Sequence, residues 1–166
     1  MVHLWDSKAR GETEMSKSAL GPTATGDIAV VIGNEKLDFD LVRLGCRMAK
    51  SAKRKVHLVH VIEVPRALPL KTELKKESER ANKLLGSALQ IAERIGCDAV
   101  AEVVQARDAG SAIVEEAKDH NCALILIGLT RRNNQVDIGK TVPYVLTHAS
   151  CRVWLVEDPP SETVTQ

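Results

Sequence analysis

Aromatic side chains are scarce in this chain of 166 residues, which has one Phe, one Tyr and two Trp. So few rings exclude a stacking platform for single-stranded nucleic acid. An excess of one charge sign is also missing, since 23 basic residues face 22 acidic ones. Balanced charge leaves no electrostatic footprint for nucleic acid or for an anionic membrane surface. No stretch approaches the roughly 18–20 apolar residues of a membrane span, so no membrane insertion is expected. Residues 1–26, "MVHLWDSKARGETEMSKSALGPTATG", lack the apolar centre of a secretory signal. The four cysteines, at 46, 97, 122 and 151, form no C-x-x-C pair, and each lies in or beside an apolar run. They read as reduced, small core hydrophobes, and a cytoplasmic location follows as an expectation.

Catalytic signatures are equally thin. There is no H-E-x-x-H and no readable Ser-His-Asp set. His57 and His60 stand three apart in a strand, so they point to opposite faces and cannot share a metal. His120 and His148 fall near helix ends, where a cap or a solvated side chain is the ordinary reading. Gly139-Lys140-Thr141 matches the end of a nucleotide-binding P-loop, but the motif's first glycine would fall at 134, which is Asn. Twenty-five residues follow Thr141, too few for the later acidic strand that holds magnesium in that class. The expectation is a protein that is not an enzyme and has no catalytic or metal-binding residues, with a slow ATPase or other phosphoryl-transfer activity as the enzymatic alternative.

What is present is regular alternation. Short apolar, β-branched runs at 27–33, 55–64, 98–106, 122–130 and 151–157 read as buried strands. Between them lie helical patterns: "LDFDLVRLGCRMAKSA", opened by Asp38; a long helix from about Thr72 to Ile95, stopped by Gly96; 109–121; and a short helix from about Val142. "RRNNQVD" (131–137) reads as a loop. The order implies one α/β domain over 27–157, preceded by a flexible arm (1–26) and followed by a polar tail (158–166). Its architecture is an open doubly wound, five-stranded parallel sheet with helices on both faces. Such sheets bind ligands at the carboxyl ends of strands where strand order reverses, which directs attention to the residues after Val31, Val61 and Ile127. There Gly128 allows close backbone approach. Thr141 can cap a helix whose free N–H groups and dipole attract anions, and Arg131, Arg132 and Lys140 add positive charge.

The order "ALILIGLTR…GKTVPYVLTHASCRVWLV" resembles the end of the universal stress protein family, whose nucleotide-binding members carry G-x-x-G, a spacer and G-[ST] before a short helix and last strand. "LVHVIEVP" and "QARDAGSAIVEEAKDHNCALILIG" resemble earlier blocks of that family, so the similarity spans 27–157. The resemblance implies ATP, with Mg2+, held with adenine near Val61 and with ribose or adenine beside Ile32 and Gly33. It places the phosphates against Gly128, Arg131, Gly139, Lys140 and Thr141. The chain departs from the family pattern at several of these positions. Gly33 stands where the family has Asp, Arg131 replaces the second glycine, and Lys140 replaces the hydroxyl residue. The seven residues 132–138 make a spacer shorter than the family's. Loss of the carboxylate contact is expected to cost about 1.5–3 kcal/mol, roughly tenfold to a hundredfold in affinity.

The function expected from the resemblance is a small stress-response or signalling protein that binds ATP or a related nucleotide. The alternative is a nucleotide-free dimeric interaction module, or the regulatory partner of a membrane transporter. The edge strand 151–157 carries no proline and few charges, so pairing of two copies into a homodimer is expected through it.

Overall fold

The apolar run beginning at Asp27 forms the centre of the sheet. The computed structural model describes residues 25–33, 36–132 and 135–157, and within these the chain alternates strand and helix as its patterning requires. β1 (Asp27–Val31) leads to α1 (Lys36–Ala52), β2 (Val56–Glu63) to α2 (Lys75–Ile95), and β3 (Ala99–Ala106) to α3 (Ala109–Asp119). β4 (Cys122–Arg132), β5 (Gln135–Asp137), α4 (Thr141–His148) and β6 (Arg152–Glu157) complete the described chain. Five strands lie parallel in the order β3-β2-β1-β4-β6. The chain winds one way from β1 through β2 to β3, then returns to the other side for β4 and β6, so strand order reverses between β1 and β4.

The two faces carry separate apolar layers. Ile28, Val30, Val56, Leu58, Leu124 and Leu126 point toward α1 and α2, meeting Leu41, Cys46, Leu85 and Ala88. Ala29, Ile125 and Ile127 point the other way, toward Ile113 and Ala117 of α3 and Val142 and Val145 of α4. This period-two division within continuous apolar strands is what a parallel sheet covered on both faces demands. The four cysteines are free, and burial pushes the Cys46 and Cys122 thiols up to about 12, so they behave as core hydrophobes. Among the described residues no helix is long and apolar enough to cross a membrane.

The structure departs from the sequence reading in three places. Residues 131–137 are not a simple loop: β4 runs on to Arg132 and pairs antiparallel with β5, Thr130 opposite Asp137, adding a sixth strand as a small hairpin. Arg132 and Asp137 form an ion pair at 3.2 Å across it, a cross-strand contact that a scan for apolar strands does not detect. The long second helix starts at Lys75 rather than near Thr72, because residues 66–68 and 70–71 form turns before it. α4 begins one residue earlier than expected, with Lys140 at its N-cap and no side-chain cap bond, so Thr141 is helical rather than the cap. The arm expected over 1–26 lies outside the described residues as far as residue 24, and the tail lies outside them from 158.

β6 ends the parallel sheet, and its outer edge is unpaired among the described residues. Trp154 and Val156 pack, half-buried, against the α1/α2 core, while Val153 packs against the other layer. Leu155 remains 36% exposed.

Leu126 is fully buried at the middle of β4, so Leu126→Ala is expected to lower unfolding free energy by about 2–5 kcal/mol through lost transfer energy and a residual cavity. Leu146→Ala, at an exposed position of α4, is expected to change it by no more than about 0.5 kcal/mol. Urea denaturation of both variants checks the assignment; equal effects would contradict this core.

Candidate functional site

The crevice outside the carboxyl ends of β1 and β4 is built by α1 as much as by the strands. Ile32 is buried in the core, its N–H bonded to the Val59 carbonyl at 2.8 Å and its carbonyl accepting from His60 Nδ1 at 2.8 Å. Only neighbouring Gly33 is exposed, and its N–H donates to Asp38 Oδ2 at 2.8 Å. Asp38, in the first turn of α1, is only 4% exposed. A carboxylate so buried requires hydrogen-bonding partners, and here one ties the start of α1 to the turn after β1. The site thus has a carboxylate next to Gly33, supplied from α1 and engaged by backbone.

Gly128 in β4 lies beneath this same helix start. A Cβ there would stand 3.3 Å from Asp38 Oδ1, Leu37 Cδ2 and Leu41 Cδ1. The sequence reading has Gly128 letting a ligand approach the backbone, and the structure puts the Leu37, Asp38 and Leu41 side chains of α1 in that space. Glycine at 128 is therefore accounted for by helix packing.

The mouth of the crevice is ringed by charges drawn from separate elements. Lys140 Nζ lies 2.9 Å from Glu63 Oε1 at the end of β2 and 4.0 Å from Asp108 Oδ2 at the start of α3. Glu63 Oε1 also accepts the Ala109 N–H at 2.9 Å, and Asp108 Oδ1 accepts the Ser111 N–H at 2.9 Å as the cap of α3. The hydrogen bond from Glu63, together with its charge, raises the Lys140 pKa. The ammonium stays solvent-exposed, so this pairing is screened and its partner is exchangeable. Arg131 turns the other way, to Glu157 at the end of β6.

Before α4, Gly139 takes a left-handed φ of +56°, its N–H donates to Asp137 Oδ1 at 3.0 Å, and nothing lies within 4 Å of a Cβ built there. That conformation is one glycine adopts without steric cost. It leads into the amino end of α4, whose N-cap residue Lys140 makes no side-chain cap bond. Thr141 is partly buried, and Val61 is partly buried against the α3/α4 layer.

The fold therefore brings Gly139, Lys140 and Thr141 to the end of β2, two residues beyond Val61. Ile32 lies in the core, Gly128 lies under α1, and Arg131 is drawn to β6. The sequence reading missed Asp38, Glu63 and Asp108 as members of this region. Asp108 had a local signal, an acidic residue directly before a helical pattern. Glu63 had only its place as a polar end to an apolar strand, and nothing local shows that it meets Lys140.

Comparison with known proteins places these features in a group. The sequence matches the universal stress protein family over residues 25–157. No curated protein matches it. Among solved structures, a universal stress protein from Archaeoglobus fulgidus superposes with a TM-score of 0.67 at 17% identity, covering 78% of this chain and 97% of that one. The universal stress protein UspA from Lactobacillus plantarum gives 0.65 at 21% identity, covering 81% and 99%. A family protein from Arabidopsis thaliana with AMP bound gives 0.57 at 16% identity, covering 85% and 97%. With a family match across all described elements and this sheet order, the chain belongs to the universal stress protein family.

Proposed function

We propose that this chain is a cytoplasmic signalling protein of its family that responds to a bound adenine nucleotide, AMP or ATP, at the crevice between β2 and the amino end of α4. The observation that carries the reading is the exposed turn Gly139-Lys140-Thr141, where a left-handed glycine, an exposed ammonium and a helix start without a side-chain cap coincide. Helix N–H groups with a dipole behind them suit a phosphate. Structures of family members with dAMP, cAMP and AMP bound support the ligand class. Adenine would lie toward Val61. No residue of the crevice is assigned a catalytic role, and Mg2+ enters only with a triphosphate.

Binding requires Lys140 to exchange Glu63 for a phosphate oxygen. Lys140→Glu is expected to weaken AMP and ATP binding about tenfold to a hundredfold, the loss of one charge-assisted contact. Glu63→Gln keeps an acceptor for the Ala109 N–H while removing the competing charge, so tighter binding is expected. Isothermal titration with each nucleotide reads both. Unchanged affinity in Lys140→Glu would reject this placement of the phosphates, and a wild-type protein that neither titrates nor carries adenine nucleotide on extraction would end the nucleotide reading.

The alternative role, a dimeric interaction module or transporter partner without nucleotide, draws on the unpaired edge of β6 and the exposure of Leu155. The two roles share one assembly, a homodimer joined through strand 151–157. Leu155→Lys places a charge on that edge without disturbing the core, and is expected to shift sedimentation from dimer toward monomer. A wild-type protein that sediments as a monomer at micromolar concentration would refute the assembly.

A further inference from the structure

At the opposite end of the sheet from the crevice, residues far apart in sequence converge on one histidine. His57, near the start of β2, is 5% exposed and faces the α3 side. Its Nε2 lies 3.0 Å from Asp27 Oδ2 at the start of β1. The carboxylate accepts, so Nε2 donates and Nδ1 is the nitrogen left to offer a lone pair to a cation. That Nδ1 has no hydrogen-bond partner although it is buried, an arrangement that needs a physical explanation. The His120 ring, at the C-cap of α3, stacks on it with centroids 4.1 Å apart. His120 Nε2 lies 3.1 Å from Glu102 Oε2 of β3 and 3.3 Å from Glu116 Oε2 of α3. Ligand-capable atoms of His57, Glu102 and His120 all fall within 4.8 Å of one another. The expectation that His120 merely caps or solvates a helix end is therefore incomplete.

We propose that His57, His120 and Glu102 form a binding site for a borderline divalent cation of the Zn2+ type, with Glu116 beside it at 3.3 Å from His120 Nε2. Two imidazoles and one carboxylate are a donor set such ions take, with the fourth position left to water. Asp27 on the far nitrogen of His57 is the outer partner that fixes tautomer and ring orientation in carboxylate–histidine–metal arrangements. Metal–ligand bonds of about 2.0–2.2 Å put tetrahedral ligand atoms about 3.3–3.5 Å apart. A contraction of about 1–1.5 Å, together with a turn of the His120 ring out of its stack on His57, therefore closes the site; Glu102 and His120 are partly exposed, which also leaves a path for entry. The site does not depend on the nucleotide reading, since none of its residues borders the crevice.

The test uses the full chain stripped with a chelator and titrated with Zn2+, then with Co2+ as a spectroscopic substitute. One saturable Zn2+ per chain is expected, with a tetrahedral Co2+ absorption lacking any thiolate charge-transfer band. Zn2+ affinity is expected to fall as the solution is acidified, because protons compete with the metal for its ligands. His120→Gln and Glu102→Gln, both at partly exposed positions, are each expected to lower Zn2+ affinity at least about tenfold, and Asp27→Asn about 10- to 100-fold. Circular dichroism and melting without metal show that each variant is folded. No saturable Zn2+ binding, a thiolate band in the Co2+ spectrum, or unchanged affinity in folded His120→Gln and Glu102→Gln would each overturn the site.

Discussion

Parallel pairing of β1 with β4 is the constraint around which the molecule is organised. Every later strand of the parallel sheet must reach its neighbour by a crossover connection, and the helices of those connections must cover both faces of the sheet. Because β1 and β4 are adjacent while their following helices leave in different directions, a crevice opens at their carboxyl ends. Their middles, Ile28 to Val30 and Leu124 to Leu126, are buried on both faces, so the crevice rests on the least deformable part of the fold. α1 is locked to that point by Asp38 on the Gly33 N–H and by its fit over Gly128.

Charge pairing then sets how the crevice can be used. The ammonium of Lys140 is held by carboxylates from β2 and the α3 cap, and the guanidinium of Arg131 by one from β6. Under the proposed nucleotide role, a phosphate would meet Lys140 already paired. This pair is exposed, so screening keeps its exchange inexpensive. Glu63 links the two halves of the arrangement, since the same oxygen that pairs Lys140 accepts the first N–H of α3. A ligand that takes Lys140 from Glu63 therefore acts on a residue joined to α3, which is also the helix that carries His120 and Glu116 at its other end.

The histidine cluster shows what the crossover geometry can assemble away from the crevice. α3 runs back across the sheet, so its carboxyl end returns to the amino ends of β1 and β2. That return stacks His120 on His57 and places Glu102 and Glu116 beside both. Three of these residues are separated from His57 by α2 and its flanking segments.

Periodicity alone was enough to specify the strand–helix alternation, the parallel class and the two-faced core, because burial on both faces demands continuous apolar strands and one-sided helices. Local chemistry at Gly139-Lys140-Thr141 likewise marked the turn before α4, since glycine and a helix start leave signals within a few residues. The β4–β5 hairpin escaped such reading because its strand is three residues long, fully exposed and held by an ion pair across it. The partners of Lys140, the role of Asp38 above Gly128 and the meeting of His57 with His120 were decided only by tertiary structure. Each joins side chains from different elements, and their separation depends on strand order and helix direction, quantities that no local window of sequence contains.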